Sequence, residues 1–272
     1  MKQSHQIIPI VQHWPIQVQR DGRYQMIENA VCQEIPLEIC INAAPYAMLM
    51  RTPGLEKELA LGFCFTNELI YSPDEVIDLA CFTPDGAPYI TRVMLTIPGL
   101  QGKFPVQEPL LKFSSGAVNS TAVLHEIFQK VAPVSSRTSF LLSILSDLPE
   151  QLYACQKLRA YCGATHGAAL INEEGKAIFC AEDVGRHNAL DKLIGHILLN
   201  HIDTRDKILM LSSRASFEMI QKAVRIAFPV VASVSAPTDL ALQVAEKLNC
   251  TYISFLKKGD FYIYTHPWRF GL

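Results

Sequence analysis

The sequence predicts an α/β protein with a parallel sheet, on three observations. From residue 207 onward, apolar segments alternate with amphipathic ones in the order strand, helix, strand, helix, strand. Such an order demands parallel pairing through right-handed crossovers. Two strand-like segments upstream lead into a helix with a dense polar start at residues 182–195. Finally, 272 residues of which 49% are hydrophobic suffice for a well-buried core of one large or two modest domains.

The elements follow in order. Residues 1–18 lack the apolar stretch and small-residue cleavage site of a secretory signal, and no apolar run reaches the roughly 20 residues that span a bilayer, so a cytoplasmic protein without membrane contact is expected. Between Arg23 and Pro98 the pattern gives strands around one helix. Pro36–Ile41 and Tyr46–Arg51 are extended and joined by an Asn-Ala-Ala-Pro turn, and Ala87–Pro98 is again extended. Leu55–Ile70 has helical apolar spacing with early acids and follows Thr-Pro-Gly. Residues 99–158 hold a Gly/Pro/Gln-rich entry and the small polar run Ser114–Thr121, read as a loop or helix cap. Two helical stretches follow, the first at Ala122–Val131. Gly167–Asn172 and Ala177–Ala181 are strands about a Glu-Glu-Gly-Lys turn. Then come strands Lys207–Ser212, Pro229–Ser235 and Thr251–Leu256, with helices Ser216–Ala227 and Thr238–Leu248 between them. The division expected is an N-terminal mixed α+β domain (1–110), a connection (111–158) and a C-terminal α/β ligand-binding domain (159–272).

A net charge of −2 leaves no basic field for nucleic acid, so anion recognition must be local. Two features supply it. In the run EDVGRHNALDKLIG, a helix N-terminus with its free N–H groups stands beside Arg186, His187, Asn188, Asp191 and Lys192. Ligands of parallel sheets sit beyond the carboxyl ends of the strands. Those ends carry Ser212, Ser213 and Arg214, then Ser235, Ala236, Pro237 and Thr238, then Lys257, Lys258 and Gly259. Ser216 and Thr238 also suit helix N-caps, which accounts for part of the pattern. Three such loops together point to a phosphate-bearing or nucleotide-like ligand, although neither G-x-x-x-x-G-K-[ST] nor G-x-G-x-x-G occurs. The eight cysteines contain no C-x-x-C pair, which argues against a zinc ribbon and for reduced thiols. Cys162 stands out, with a glycine after it and His166 four residues on.

At these residues the chain resembles the FdhD family, accessory proteins of molybdenum formate dehydrogenases. EIPLEICINAAPYAMLMRTPGLEKELALGF, ATHGAAL, EDVGRHNALDKLIG, LMLSSRASFEMIQKA, VSAPTDLALQVAEKL and FLKKGDFYIYTHP occur in the family's order and span nearly the whole chain except its middle. The resemblance implies a cytidine-deaminase-like α/β sandwich, a homodimer, and binding of the molybdenum cofactor in its bis-molybdopterin guanine dinucleotide form. It also implies sulfur taken as a persulfide from a cysteine desulfurase and passed to that cofactor before it enters formate dehydrogenase. The family's persulfide element, C-G-x-C, is replaced here by Ser115, Gly116, Ala117 and Val118. A serine hydroxyl cannot carry sulfane sulfur, which needs a nucleophilic thiolate and a cleavable sulfur–sulfur bond. The family's cofactor stretch maps onto Phe255, Leu256, Lys257, Lys258, Gly259 and Asp260, the last standing where a basic residue is common.

The residues assigned to the ligand are Arg186, His187, His166, Ser213, Arg214, Ser235, Thr238 and the segment 255–260, with no metal held by the protein. Cys162 is the substitute for the missing thiol at Ser115. Two other functions remain open at this point: a cofactor-binding chaperone without persulfide chemistry, and a zinc deaminase using Cys162, His166, Cys180 and His187. The deaminase lacks its H-x-E and P-C-x-x-C elements here.

Overall fold

The computed structural model describes residues 10–102, 110–111, 131–257 and 260–272. Among the described residues there are three sheets. The first is the hairpin β1 (Val11–Arg20) and β2 (Arg23–Cys32), turned at Asp21 and Gly22, both with positive φ. Sequence reasoning gave no strand at β1. Its side chains are mostly exposed, so it carries little apolar alternation, and Pro15 lies within it.

A five-stranded sheet has the order β5-β6-β3-β4-β7. β3 (Ile35–Ile41) and β4 (Ala44–Arg51) are antiparallel, and β3 runs parallel to β6 (Thr91–Thr96), which pairs with β5 (Asp78–Phe82). β7 (Leu110–Leu111) pairs with β4. The β3–β4 turn is shorter than the four residues expected. Asn42 and Ala43 alone carry it, with φ of 50° and 66°, the left-handed pair that matches strand twist in a two-residue hairpin. α1 spans Glu56–Thr66 and stops before the expected Ile70. The Asn67 side chain donates to the Phe63 carbonyl and Glu68 turns left-handed at φ 63°, which closes the helix C-terminus.

The third sheet has the order β13-β12-β11-β10-β8-β9. Its strands are β8 (His166–Ile171), β9 (Ala177–Asp183), β10 (Ile208–Leu211), β11 (Val230–Ser233), β12 (Thr251–Lys257) and β13 (Asp260–Ile263). β10, β11 and β12 are mutually parallel as predicted, while β8, β9 and β13 add antiparallel edges. The other α-helices among the described residues are α2 (Leu148–Cys155), α3 (Lys157–Cys162), α4 (Arg186–Leu199), α5 (Phe217–Arg225) and α6 (Asp239–Lys247). The sheet is apolar on both faces. Leu209 and Leu211 of β10 enter the larger core, and Ile208 and Met210 enter a smaller one with Leu145, Leu148, Leu152 and Ile253.

The larger core draws on both halves of the chain, from Leu37 and Leu95 to Leu193 and Tyr252. Its hinge point is the crossing of α1 over α4. A Cβ on Gly62 would lie 1.9 Å from the Asp191 carbonyl oxygen, and one on Gly195 would lie 1.8 Å from the Glu58 carbonyl oxygen. Two glycines therefore let the two backbones touch, which no larger residue permits.

Candidate functional site

The sheet register brings the predicted loops to one edge. β10 and β11 end at Leu211 and Ser233, and beyond them an isolated parallel bridge joins Ala215 to Pro237. The Thr238 N–H donates to the Ala215 carbonyl at 3.1 Å, so the two loops run side by side. β8 is antiparallel to β10, which puts His166 and Gly167 at this same end, opposite Asp183 and Glu182 of β9. The Gly167 N–H donates to Ser212 Oγ (2.8 Å) and the Ser212 N–H returns to the Gly167 carbonyl (3.0 Å). Three helices, α4, α5 and α6, start here at Gly185, Ser216 and Thr238. Their free N–H groups and dipoles favour an anion.

The polar run at residues 182–195 turns out to serve two purposes. β9 extends through Asp183, so α4 begins at Arg186 rather than at Glu182. Glu182 caps α3 instead, accepting from the N–H groups of Leu158 and Arg159 (both 2.8 Å) and from Thr165 Oγ1 (2.7 Å). Asp183 is fully buried and collects four donors: Lys192 Nζ (2.7 Å), the Thr52 N–H (3.1 Å), the Gly185 N–H (2.9 Å) and Asn188 Nδ2 (3.0 Å). Lys192 Nζ also donates to the Thr52 and Glu182 carbonyls. Burial lowers the Lys192 pKa, and the Asp183 charge opposes that shift. Asn188 reaches the Met50 carbonyl at 2.8 Å, and Asp191 holds Lys222 (2.6 Å) and Thr66 Oγ1 (3.0 Å). Asn188, Asp191 and Lys192, expected beside a ligand, therefore tie α4 to β4, α1 and α5.

Arg186, His187 and His166 are left facing the edge. The Nε of Arg186, the Nδ1 atoms of His166 and His187, and Ser216 Oγ are buried without a hydrogen-bond partner among the described residues. His187 Nε2 lies 2.8 Å from Glu218 Oε2 of α5, and the His187 imidazole beside it draws the Glu218 carboxyl below the usual range. Burial lowers the His166 pKa, and the positive charges of Arg186 and Arg159 push it the same way. His166 is therefore a neutral imidazole among cations, a setting that an arriving phosphoryl or pterin oxygen would relieve. Orphaned donors beside helix N-termini suit an anionic oxygen better than a metal ion. Among the described residues, no group of three or more His, Cys, Asp or Glu side chains could hold a metal.

The other predicted residues fall around this rim. Arg214 is exposed, and Ser213 is buried with its hydroxyl donating to the Arg214 carbonyl at 3.1 Å. Ser235 is half-buried, and its carbonyl accepts from Ser233 Oγ. Thr238 is exposed and serves as an N-cap, its Oγ1 accepting from the Ala241 N–H at 3.3 Å. The backbone of Phe255, Leu256 and Lys257 completes β12, and Lys257 pairs with the exposed Asp260 across the hairpin end. Lys258, Gly259 and the Ser115–Val118 segment lie outside the described residues. A hollow of about 320 Å³ is at the opposite end of the sheet beside Val134, Val224 and Arg225.

Sequence reasoning missed the strand-to-helix turn that follows β4. Arg51 is fully buried, with Nη2 bound to Thr91 Oγ1 (2.7 Å) and Glu56 (3.1 Å), and its Nε and Nη1 have no partner among the described residues. Thr52 Oγ1 accepts from the Val184 N–H (3.1 Å) and contacts Cys32 Sγ (3.4 Å). The signal was present: an arginine ending an otherwise apolar strand is rarely buried without purpose. Cys162 is half-buried at the end of α3 and its thiol donates to the Leu158 carbonyl at 3.0 Å.

These features define a mixed α/β protein whose strand ends form a cationic edge fed by three helix N-termini. The chain belongs to the FdhD/NarQ family, whose model matches residues 32–271. Proteins named sulfur carrier protein FdhD are similar to it over most of both lengths. The one from Sulfolobus acidocaldarius is 33% identical over 93% of this chain and 96% of its own, and that from Picrophilus torridus is 35% identical over 97% and 99%. The relative from Mycolicibacterium paratuberculosis is 35% identical over 90% and 92%. The fold matches a crystal structure of a protein from Desulfotalea psychrophila provisionally assigned as a formate dehydrogenase accessory protein. That match has a TM-score of 0.77 and 23% identity, and covers 96% of this chain and 99% of the other.

Proposed function

We infer that this chain is a formate dehydrogenase accessory protein that takes up sulfur and delivers it to the molybdenum cofactor. The observation that carries the reading is the group Arg186, His166 and Ser216, whose buried polar atoms lack partners among the described residues at the edge where α4, α5 and α6 begin. Its cargo is the bis-molybdopterin guanine dinucleotide form of the cofactor. Phosphoryl oxygens take Arg186, Arg214 and the helix N-termini, and His166 and His187 meet the base or the pterin. Segment 255–260, the stretch matching the family's cofactor element, is assigned to the same cargo. The names of the relatives support the sulfur-carrier step. The donor in this reading is a cysteine desulfurase and the recipient formate dehydrogenase. The protein works as a cytoplasmic homodimer, and its third sheet with helices on both faces is a cytidine-deaminase-like sandwich.

The test pairs a nucleotide with a variant that leaves the fold alone. Calorimetry with a guanine nucleoside diphosphate should give measurable binding to the wild type and at least about tenfold weaker binding to Arg186→Ala, a loss of about 1.4 kcal/mol. Equal affinity in the two proteins refutes the placement of the ligand. The chaperone reading gains if nucleotide binds while desulfurase and cysteine leave no sulfane sulfur on the protein.

A further inference from the structure

The family's thiol element is replaced by Ser115-Gly116-Ala117-Val118, yet the fold brings two other thiols near each other. Cys32 ends β2 and Cys162 ends α3, and β2 packs on α3, so residues far apart in sequence become neighbours. The β1–β2 hairpin is laid against α3 to make this meeting. His13 of β1 binds the Tyr161 hydroxyl at 3.1 Å, and the two rings meet edge to face. Both thiols are half-buried, and exposed Tyr161, Gly163 and Ala164 flank Cys162.

The pair is also wired to the anion edge. Cys32 Sγ contacts Thr52 Oγ1, the same hydroxyl that takes the Val184 N–H, while the Thr52 N–H binds Asp183. Asp183 is paired with His166 across β8 and β9. Burial raises the Cys32 pKa, and the nearby Cys162 thiol acts in the same direction. The exposed residues around Cys162 open that thiol to a donor, while Cys32 Sγ contacts Thr52 on the side of the edge, which assigns the first attack to Cys162. The second thiol pair, Cys155 and Cys180, packs against the smaller core with Leu148 and Leu152, and among the described residues neither thiol bonds Thr52 or Asp183.

The geometry points to Cys162 as the sulfane-sulfur carrier of this chain, with Cys32 as the thiol that turns the carried sulfur into sulfide beside the ligand edge. This rests on the sulfur-carrier reading above and names its residues. In the first step the Cys162 thiolate attacks the terminal sulfur of an enzyme-bound cysteine persulfide. The donor's S–S bond breaks, its cysteine leaves as thiolate, and Cys162 holds the persulfide. In the second step Cys32, as thiolate, attacks Cys162 Sγ. The bond from Sγ to the outer sulfur breaks, a Cys32–Cys162 disulfide forms, and the outer sulfur departs as hydrosulfide with one proton. The two cysteine sulfurs supply the two electrons that reduce the sulfane sulfur, and a dithiol reductant restores them.

The experiment incubates the full chain anaerobically with a cysteine desulfurase and cysteine, without added reductant, and follows intact mass and released sulfide. The control is desulfurase alone, which sets the background sulfide. Wild type should release sulfide above that background, up to one equivalent, and end lighter by two hydrogens. Cys32→Ser should hold the mass of one extra sulfur atom and release sulfide at least about tenfold more slowly. Cys162→Ser should show neither change, Cys155→Ser should behave as wild type, and Cys32→Ala checks that the serine hydroxyl is not responsible. Addition of one sulfur to Cys162→Ser at the level seen in Cys32→Ser, or wild-type sulfide release by Cys32→Ser, overturns the pair while the carrier reading stands. Loss of sulfide release in Cys155→Ser does the same. A wild-type chain that neither releases sulfide above background nor gains sulfur mass, with no sulfur on Cys32→Ser, brings down both.

Discussion

The Asp183–Lys192 pair decides whether the polar run at the start of α4 is scaffold or ligand contact. Both side chains are buried, at 0% and 1% exposure, and the carboxylate receives three further donors. Lys192→Met leaves a buried carboxylate with the Thr52, Gly185 and Asn188 donors but no counter-charge. Asp183→Asn leaves an ammonium held by the Thr52 and Glu182 carbonyls alone. Each single change should cost about 3–5 kcal/mol, because an uncompensated charge stays in the interior. For a chain of this size that lowers Tm by roughly 6–20 °C. The double variant removes both charges and should cost about 2 kcal/mol less than the sum, a coupling that urea melts of the four proteins measure directly. Single variants that each lose under about 1 kcal/mol, or a Lys192→Met protein of unchanged stability that no longer binds nucleotide, would refute the scaffold assignment and return Lys192 to the ligand.

Three further outcomes are expected. Gly195→Ala puts a methyl 1.8 Å from the Glu58 carbonyl oxygen, a backbone atom that cannot swing aside, so α1 and α4 must separate at a cost of about 1–3 kcal/mol or more; a melt matching wild type would contradict that crossing. His166 has its pKa held below the ordinary 6.5, so the unfolded chain binds the proton that the folded one refuses. Its stability contribution is therefore complete above pH 6.5 and lost as pH falls from there toward the folded value, and His166→Gln should flatten that slope in chemical melts; an unchanged slope argues against a neutral His166. Arg214→Ala, exposed and outside the buried network, should weaken guanine nucleotide binding while shifting stability by no more than about 0.5 kcal/mol, and an unaltered affinity removes it from the site.

How much of this was legible in the sequence depends on which force fixed each part. The three parallel strands were readable because β10, β11 and β12 are buried on both faces, and that burial leaves short apolar runs with amphipathic helices between them. From the strand order alone the edge of Ser213, Ser235 and Lys257 followed. The β1–β2 hairpin was not readable, since it packs through a few contacts such as His13 with Tyr161 and keeps most of its surface wet. The start of α4 was misplaced because a carboxylate before a helix reads as a cap. Here Glu182 caps a different helix and Asp183 is buried in β9. Residue type and spacing show that a helix start is crowded with polar groups, yet only the packing of α1 against α4 separates Asn188, Asp191 and Lys192 from Arg186 and His187.

Under the proposed ligand placement, that separation lets one motif serve stability and recognition together. A ligand edge of free donors needs a base that does not yield when an anion arrives, and the network through Asp183 supplies it by joining β4, β9 and α4 below the surface. Thr52, fully buried, touches Asp183, Val184 and Cys32 and so stands between the proposed thiol pair and this network. Thr52→Val removes the hydroxyl and keeps the shape. The Val184 N–H then loses its acceptor, a cost of about 1–3 kcal/mol. If the hydroxyl also positions Cys32, sulfide release should slow in this variant while Cys162 still acquires sulfur. A Thr52→Val protein that is destabilised but releases sulfide at the wild-type rate would show that the link between the two sites is proximity alone.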